Sequence, residues 1–541
     1  MEKANSKQAV KRAAKRTAGV VLCGVLALVW GLGPAPRAHA DIPSATDKAL
    51  VWLKHQQDET KGFAFDGLVD SFEDYWAPNT PKQIVYTYDQ AVAATAFIAA
   101  GDRARAEKIL NKMRDIQDPS GYWLNSYWYN NGAGEEIREH VGPVVWVAMA
   151  VMAYEKQYGD TRYRNMAVKA LDWSLQYQQA NGGVAGGWSG WTNANEPWTS
   201  TEHNLDIYPT LRYFASAETS RASAYNTAAA RVKTFLDTKV WNDSRKNFYG
   251  GWKNDTNLVD PFVPMDVNPW GVLALGLSGA HDYQSALSYV ENANGNPGTL
   301  ANPRYKYTLT YDNAGNTMTA YDFDWDGANN PLYDAQGNLI GYSGPDIWLE
   351  GSAFMSAAYY LQGNTAKADS ILNELAKKQG TSGASTGGLP YSLKGTSNSY
   401  WVMAQQNSVS STGWFVLAAK RFNPFQGSFM NASGNPGGGN NGGGSNPGTG
   451  TGTEIVTTDY KINVTNSGGA RIVFTPATSA LYVDIHYKLD NGPQQNLRMS
   501  GSGTNWNYTV AGWSAGKKLE YWFTYEKSGP QYDSPHYTFT Q

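Results

Sequence analysis

Between Asp41 and about Phe425 the chain alternates two kinds of apolar pattern. One is amphipathic, with charged and apolar positions at helical spacing, as in Arg103-Ala104-Arg105-Ala106-Glu107-Lys108-Ile109-Leu110. The other is small and apolar throughout, as in Ala91-Val92-Ala93-Ala94-Thr95-Ala96-Phe97-Ile98-Ala99-Ala100. A helix that is apolar on every side has to be buried. Segments of the second kind begin near Asp89, Gly142, Ser200, Asn268, Trp348 and Ser411; charged partners begin near Ala45, Asp102, Asp160, Thr219, His281 and Asn364. The pairs recur at about 55–80 residues, the mark of an internal repeat. Six inner and six outer helices in alternation predict an (α/α)6 toroid. Gly-Asp at 101–102 and 159–160 and Gly-Asn at 363–364 sit where the chain must reverse. Residues 305–342 interrupt the scheme with hairpin chemistry around Gly-Asn, so a small β lobe over one end of the toroid is expected.

The period changes to two after residue 454. Leu481–Tyr487, Trp506–Val510 and Leu519–Tyr525 alternate apolar and polar positions, separated by Asp490-Asn491-Gly492 and Ser500-Gly501-Ser502-Gly503. This predicts a small all-β sandwich. In that alternation Trp522 and His486 point away from the core, and an outward Trp offers a ring face to sugar C–H groups. Trp506 joins them as a candidate contact. Between the two patterns, Ala432–Thr453 is almost wholly Gly, Asn, Ser, Thr and Pro, a flexible tether. The reading is therefore 1–40 leader, 41–425 toroid, 426–453 linker and 454–541 sandwich.

The leader carries Lys3, Lys7, Lys11, Arg12, Lys15 and Arg16, then the apolar run Ala18–Leu32, then Ala38-His39-Ala40. This is the layout of a secretory signal peptide cut before Asp41. A single anchoring helix is the alternative; a lipoprotein signal is disfavoured by Leu22 before Cys23. Removing residues 1–40 takes 7 of 44 Lys+Arg and 1 of 47 Asp+Glu, leaving 37 against 46 and a net charge of −9. The only cysteine, Cys23, leaves too. A secreted chain without thiols has no disulfide framework, so a large core must carry its stability. The acidity excludes a nucleic-acid footprint and argues against anionic polymers. No membrane contact after cleavage is expected, and the protein is expected to be a monomer.

Of 541 residues, 20 are Trp and 34 are Tyr, more than core filling needs. Many fall at the starts of the inner helices, which in a toroid converge on one funnel. Carboxylates recur there, at Asp89, Glu139, Glu202, Asp206, Asp266, Asp346 and Glu350, interleaved with Tyr86, Tyr88, Trp270 and Trp348. Trp123, Trp128, Trp188, Trp191 and Trp198 lie in the connecting loops. Aromatic platforms with acid pairs are the equipment of a saccharide cleft: one carboxyl protonates the leaving oxygen and another activates water. Inner helices three, four and five are neighbours, so Glu202, Asp266 and Glu350 can meet. We expect Glu202 as general acid and Asp266 as base, with Glu350 and Asp89 as substitutes. Tyr88, His203, Asp206, Trp270, Trp348 and Trp191 are expected to contact substrate. Asp89 and Asp266 also fit helix N-caps, Asp206 also fits a role of orienting a neighbour, and His203 also fits a structural hydrogen bonder. No cofactor is expected. Asp322-Phe323-Asp324-Trp325-Asp326-Gly327 imitates the start of a calcium loop, but Tyr333 stands where the bidentate Glu belongs. A structural calcium is the remaining metal reading, and no catalytic metal is expected.

Two resemblances add to this. Tyr482–Tyr487, Gly492–Met499, Tyr521–Tyr525 and Tyr532–Tyr537, in that order, resemble carbohydrate-binding module family 56. That resemblance implies β-1,3-glucan as ligand and a secreted glucanase as context. The toroid resembles the (α/α)6 glycoside hydrolases, of which family 8 is one example, in architecture only; this implies an acidic pair at the funnel, often acting with inversion. The leading reading is a secreted, endo-acting glycoside hydrolase on a β-glucan. Alternatives are a polysaccharide lyase using His203, Asn204, Tyr208 and Arg138, and a non-catalytic glucan-binding protein.

Overall fold

The computed structural model describes residues 41–430 and 453–539, apart from 74–82, 293–301, 325–330, 334–338 and 397–402 and short stretches at 343, 457–458, 467–469, 491, 511–512, 514–516, 527–530 and 535. The leader, most of the linker and Asp326 of the calcium-like motif lie outside the described residues. The chain divides into two units, one before and one after the linker.

The first unit contains α1 (Ile42–Glu59), α2 (Thr87–Ala99), α3 (Arg103–Asp115), α4 (Val141–Tyr158), α5 (Arg164–Ser174), α6 (Thr201–Ala217), α7 (Ala222–Thr238), α8 (Val267–Leu275), α9 (Ser285–Val290), α10 (Leu349–Leu361), α11 (Thr365–Ala376) and α12 (Val409–Ala419). The even-numbered helices form a closed ring: α2 packs on α4, α4 on α6, α6 on α8, α8 on α10, α10 on α12, and α12 on α2. The odd-numbered helices lie outside it, α1 against α12 and each other one against the inner helix before it. This is the expected (α/α)6 toroid. In α2 every residue but Tyr88 is buried, because the helix has ring neighbours on two sides and α3 behind. Small side chains let these helices crowd one axis.

Turns from inner to outer helices are short. Gly101 adopts φ +77° and Asp102 then caps α3, its Oδ1 accepting from Arg105 N at 3.3 Å. Gly363 and Asn364 repeat the device before α11 (φ +86°; Asn364 Oδ1 accepting from Lys367 N, 3.2 Å). A left-handed glycine followed by a short polar cap reverses the chain without leaving helix-end groups unpaired. Connections from outer to inner helices are long and gather at the opposite end. Each ends in extended backbone that bonds to the next connection: Ile84–Tyr86 pairs with Ser126–Trp128, Arg138–His140 with Gly187–Ser189, and Trp198–Ser200 with Gly251–Lys253. Met265 N reaches Phe323 O, Trp348 bridges to Ser392, and Phe72 bridges to Ser408, which closes the circle. The inner helices thus start in register around one rim.

Below that rim the axis is plugged. Trp146, Trp270, Phe354, Trp414 and Phe425 pack ring on ring, with centroids 4.4–6.2 Å apart between Trp146 and Trp270, Trp270 and Phe354, Phe354 and Trp414, and Trp270 and Trp414. The funnel is therefore blind. Phe425 and Met430 are part of this core, and Phe422–Asn423 pairs with Ser428–Phe429, so the toroid runs past the expected boundary at 425 and takes in the start of the expected linker.

The insertion at 305–342 is described in part. Its first hairpin, Lys306–Thr310 with Thr317–Tyr321, turns at Asp312–Gly315 as the Gly-Asn chemistry predicts. It packs at the C-terminal end of α11, where Lys377 and Lys378 reach the carbonyls of Thr317 and Tyr311. Tyr307, Met318, Ala320 and Tyr321 are buried, and the second strand lies along α11, with Thr319 N bonded to Glu374 Oε2 at 2.8 Å. An apolar face on the hairpin accounts for that burial. A second pairing, Pro331–Tyr333 with Leu339–Tyr342, follows. Among the described residues no helix is long and apolar enough to cross a membrane.

The second unit is the expected sandwich. One sheet runs 453–456, 460–466, 470–476, 505–510, 500–502; the other runs 495–498, 483–489, 519–526, 531–533, with 537–539 also on 519–526. Ile462, Val464, Ile472 and Phe474 from the first sheet face Val483, Ile485, Tyr521, Phe523 and Tyr525 from the second. The period of two is the reason: a residue and its next-but-one share a face.

Candidate active site

The register of the rim places one residue at the second position of each inner helix: Tyr88, Gly142, Glu202, Asn268, Glu350 and Ser410. Glu202 on α6 and Glu350 on α10 flank α8, whose N-cap is Asp266. These are the three acids expected to meet, and the structure brings them together: each lies within electrostatic reach of another of the set.

Each is perturbed for a stated reason. Glu202 is raised well above the usual carboxylate range by burial, with Asp266 and Glu350 adding to it. It nevertheless keeps part of its surface open. Asp266 is pushed up to about 7 by burial, offset by the Val267 N–H, which donates to Oδ1 at 2.7 Å. Its N-cap geometry and the positive end of α8 favour the ionised form. Glu350 is pushed up to about 8 by burial, with Asp89 and Asp266 contributing, while Tyr88 and Ser410 hold it back. The Tyr88 hydroxyl donates to Glu350 Oε1 at 2.6 Å and accepts from Trp414 Nε1 at 2.8 Å. Tyr88, expected to touch substrate, is thus also the group that orients Glu350. Asp89 is pushed up to about 7 by burial, and Ser71 bonds to it. It is the third residue of α2, not its cap.

Asp206 is corrected. It lies one turn below Glu202 and is 0% exposed, so it does not contact substrate. Neither carboxyl oxygen completes a hydrogen bond. The Trp146 indole N–H leans toward it without completing a hydrogen bond. Burial and then Glu202 raise the group well above its ordinary value, which keeps it neutral. Trp270 and Trp348, at 1% and 4% exposed, are corrected as well. Trp270 belongs to the axial plug. Trp348 is walled in by Phe323 and Phe354. Both lie at helix starts, yet these large rings turn toward apolar neighbours and are buried there.

His203 sits against α4. A Cβ on Gly142 would lie 2.3 Å from the His203 ring, so the glycine makes that space. Burial, and then His140, lowers His203 to about 3, so the ring is neutral, and its Nδ1 has no partner. Beside it stands a group the sequence pattern did not single out: His140 Nε2 is 3.1 Å from Glu196 Oε1, and Trp198 Nε1 donates to Glu196 Oε2 at 3.0 Å. Glu196 sits in a connecting loop with no periodicity to mark it. Trp191, expected to contact substrate, is 62% exposed.

Of the calcium-like segment, Asp322 to Asp324 are described. Asp346 accepts from the N–H groups of Ile347, Leu393, Lys394 and Thr396, and Asp322 from those of Phe323 and Asp346. Among the described residues no group of three His, Cys, Asp or Glu side chains is arranged to hold a metal ion.

On the sandwich, Trp522 and His486 do face outward from the second sheet. The Trp522 ring is stacked by His536 on one side (centroids 3.9 Å, planes 7° apart) and by His486 (5.5 Å, 26°). His486 is fixed by Asn496 (2.6 Å) and Thr524 (2.8 Å). Trp506 is corrected: it is 5% exposed, in the core, with Nε1 donating to Gly503 O at 2.9 Å.

Residues 460–534 match the family model for carbohydrate binding module family 56. A solved structure of a bromine derivative of a family 56 module is 40% identical, covering 16% of this chain and 98% of that one at a TM-score of 0.16. A structure described as a glycosidase is 13% identical over 70% of this chain and 96% of its own, with a TM-score of 0.48. An α-amylase from Clostridium perfringens is 8% identical over 71% and 98%, at 0.47. A GH76 α-mannanase from Bacteroides thetaiotaomicron is 11% identical over 70% and 96%, at 0.45.

Proposed function

We propose that this protein is a secreted glycoside hydrolase that cuts a glucan in the funnel of its toroid while the sandwich holds it on β-1,3-glucan. The convergence of Glu202, Asp266 and Glu350 on the floor of a blind, aromatic-walled funnel carries the reading. Burial keeps protons on carboxyls there, and a protonated carboxyl with an open side is what a leaving glycosidic oxygen needs. Glu202 is that group. Asp266, on the adjacent helix and favoured as carboxylate by the Val267 N–H, takes the proton of the attacking water. Axes of packed helices lie about 8–10 Å apart. That spacing suits the wider carboxyl separation of inverting enzymes, about 6.5–9.5 Å. Glu350 is held in place by the Tyr88 hydroxyl, and burial is the main reason Glu202 keeps its proton.

The rate therefore rises with pH as the Asp266 carboxyl, pushed up to about 7, ionises, and falls at higher pH as Glu202 loses its proton. The test is incubation of the protein from Asp41 onward with laminarin, curdlan, lichenan, starch, α-mannan and a polyuronate. Reducing ends from a β-glucan, without the ultraviolet absorbance of an unsaturated uronate, support the reading. Cleavage confined to starch or mannan overturns the linkage. Absorbance on the polyuronate overturns the reaction class. Silence on every polymer, with curdlan still bound, favours a binding protein.

A further inference from the structure

We infer that Trp191, backed by Arg138, is an outlying sugar platform that gives the funnel its preference for long chains; this rests on the function proposed above. Trp191 leaves more than half its surface in solvent, which no packing role in the toroid explains. It is held in place nonetheless. The Arg138 guanidinium lies 3.8 Å from the ring centroid and covers one face. Arg138 is in turn fixed by Glu136, with Nη1 to Oε1 at 3.0 Å. The hairpin carrying the ring is built for this approach. Gly187–Ser189 pairs with Arg138–His140 on one side and Ala194–Asn195 on the other, and Asn193 takes φ +51° to close the loop. At Gly190 a Cβ would stand 2.5 Å from the Ile137 carbonyl, so only glycine brings the tip so close.

The platform is continuous with the reacting groups. The strand bearing Arg138 runs into α4 through His140. His140 binds Glu196, Glu196 binds Trp198, and the Trp198 ring meets His203, the neighbour of Glu202, at 5.4 Å. Arg138 is two residues outboard of His140, or about 7 Å along a strand. A substrate chain leaving the acids along this wall passes the open face of Trp191. The occupant is a neutral polyhydroxy ring. A cation-backed indole does not draw a second cation to its free face, and the exposed Thr192, Asn193 and Asn195 beside it offer hydroxyl and amide groups to sugar hydroxyls.

The experiment compares the full chain with its Trp191→Ala variant, both carrying Trp522→Ala so that the sandwich contributes little. The first readout is kcat/KM on laminarihexaose relative to laminaritriose. The second is the affinity for laminarihexaose by calorimetry, which needs no turnover. Loss of one stacked ring lowers the hexaose-to-triose ratio and the affinity about five- to tenfold. Arg138→Lys, which keeps the charge and loses the plane, gives a smaller loss in the same direction. An affinity loss in a protein that cleaves no glucan supports the platform and overturns the hydrolase reading. Cleavage with an unchanged ratio and unchanged affinity overturns the platform alone. Absence of any binding to laminarihexaose overturns both for this glucan.

Discussion

Glu350 on the toroid floor and Glu520 on the outer face of the sandwich each share a hydrogen bond with an aromatic-ring residue, yet their carboxyls move in opposite directions. Glu350 takes a bond from Tyr88 and still rises to about 8, because burial outweighs the bond. Glu520 pairs with His536 at 2.8 Å and falls below its ordinary value through that bond, with Lys488 and Lys518 helping. Solvent is the difference. Near water a carboxylate keeps its charge and gains from any partner; away from water the charge itself is the cost. The two units use this difference differently. Inside the toroid burial favours the protonated carboxyl, and on the outer face of the sandwich exposure and partners favour the charged one.

The contrast predicts a ranked set of outcomes. Glu202→Gln and Asp266→Asn each lower the hydrolysis rate about 10²–10⁴-fold, as loss of a general acid or base does, with circular dichroism and Tm close to wild type. Equal activity in either variant removes that residue from the mechanism. Next, Trp146→Ala opens the axial plug and costs about 3–5 kcal/mol, read from urea unfolding; a cost below 1 kcal/mol, about the effect of an ordinary substitution, breaks the account of the blind funnel. Third, Asp206→Asn removes a buried carboxyl whose proton is bound more tightly in the folded than in the unfolded chain. A raised folded value means that stability is fully present below the unfolded value of about 4 and is lost as pH rises through the folded one. The variant therefore gains about 2 kcal/mol over wild type at pH 8 and nothing at pH 4. A gain at both pH values breaks the burial argument. Smallest, His536→Ala bares one face of Trp522 and raises retention on curdlan about threefold. A fall shows instead that the imidazole is itself part of the glucan contact.

Much of this molecule was legible before any coordinates. The starts of the inner helices fall within a few residues of the positions read from composition, from Asp89 for α2 to Ser411 for α12. The acids on those starts were legible with them. The aromatic residues were not. Trp191, Trp270, Trp348 and Trp506 look alike in one dimension, yet the first is solvent-facing and the others are in cores. The His140–Glu196 pair was missed because its members lie far apart in the chain, one ending a three-residue strand and the other in a loop, where no period marks them.

The sequence by itself determined the repeat, the ring of buried helices and the switch to a sandwich, because a helix apolar on every side or a strand of period two has only one way to hide its apolar face. Tertiary structure alone decided which side chains face the funnel, which carboxyls lack partners and which carry protons. Those properties depend on what packs across a gap from another part of the chain and on whether water reaches it, and neither is written in any local stretch of residues.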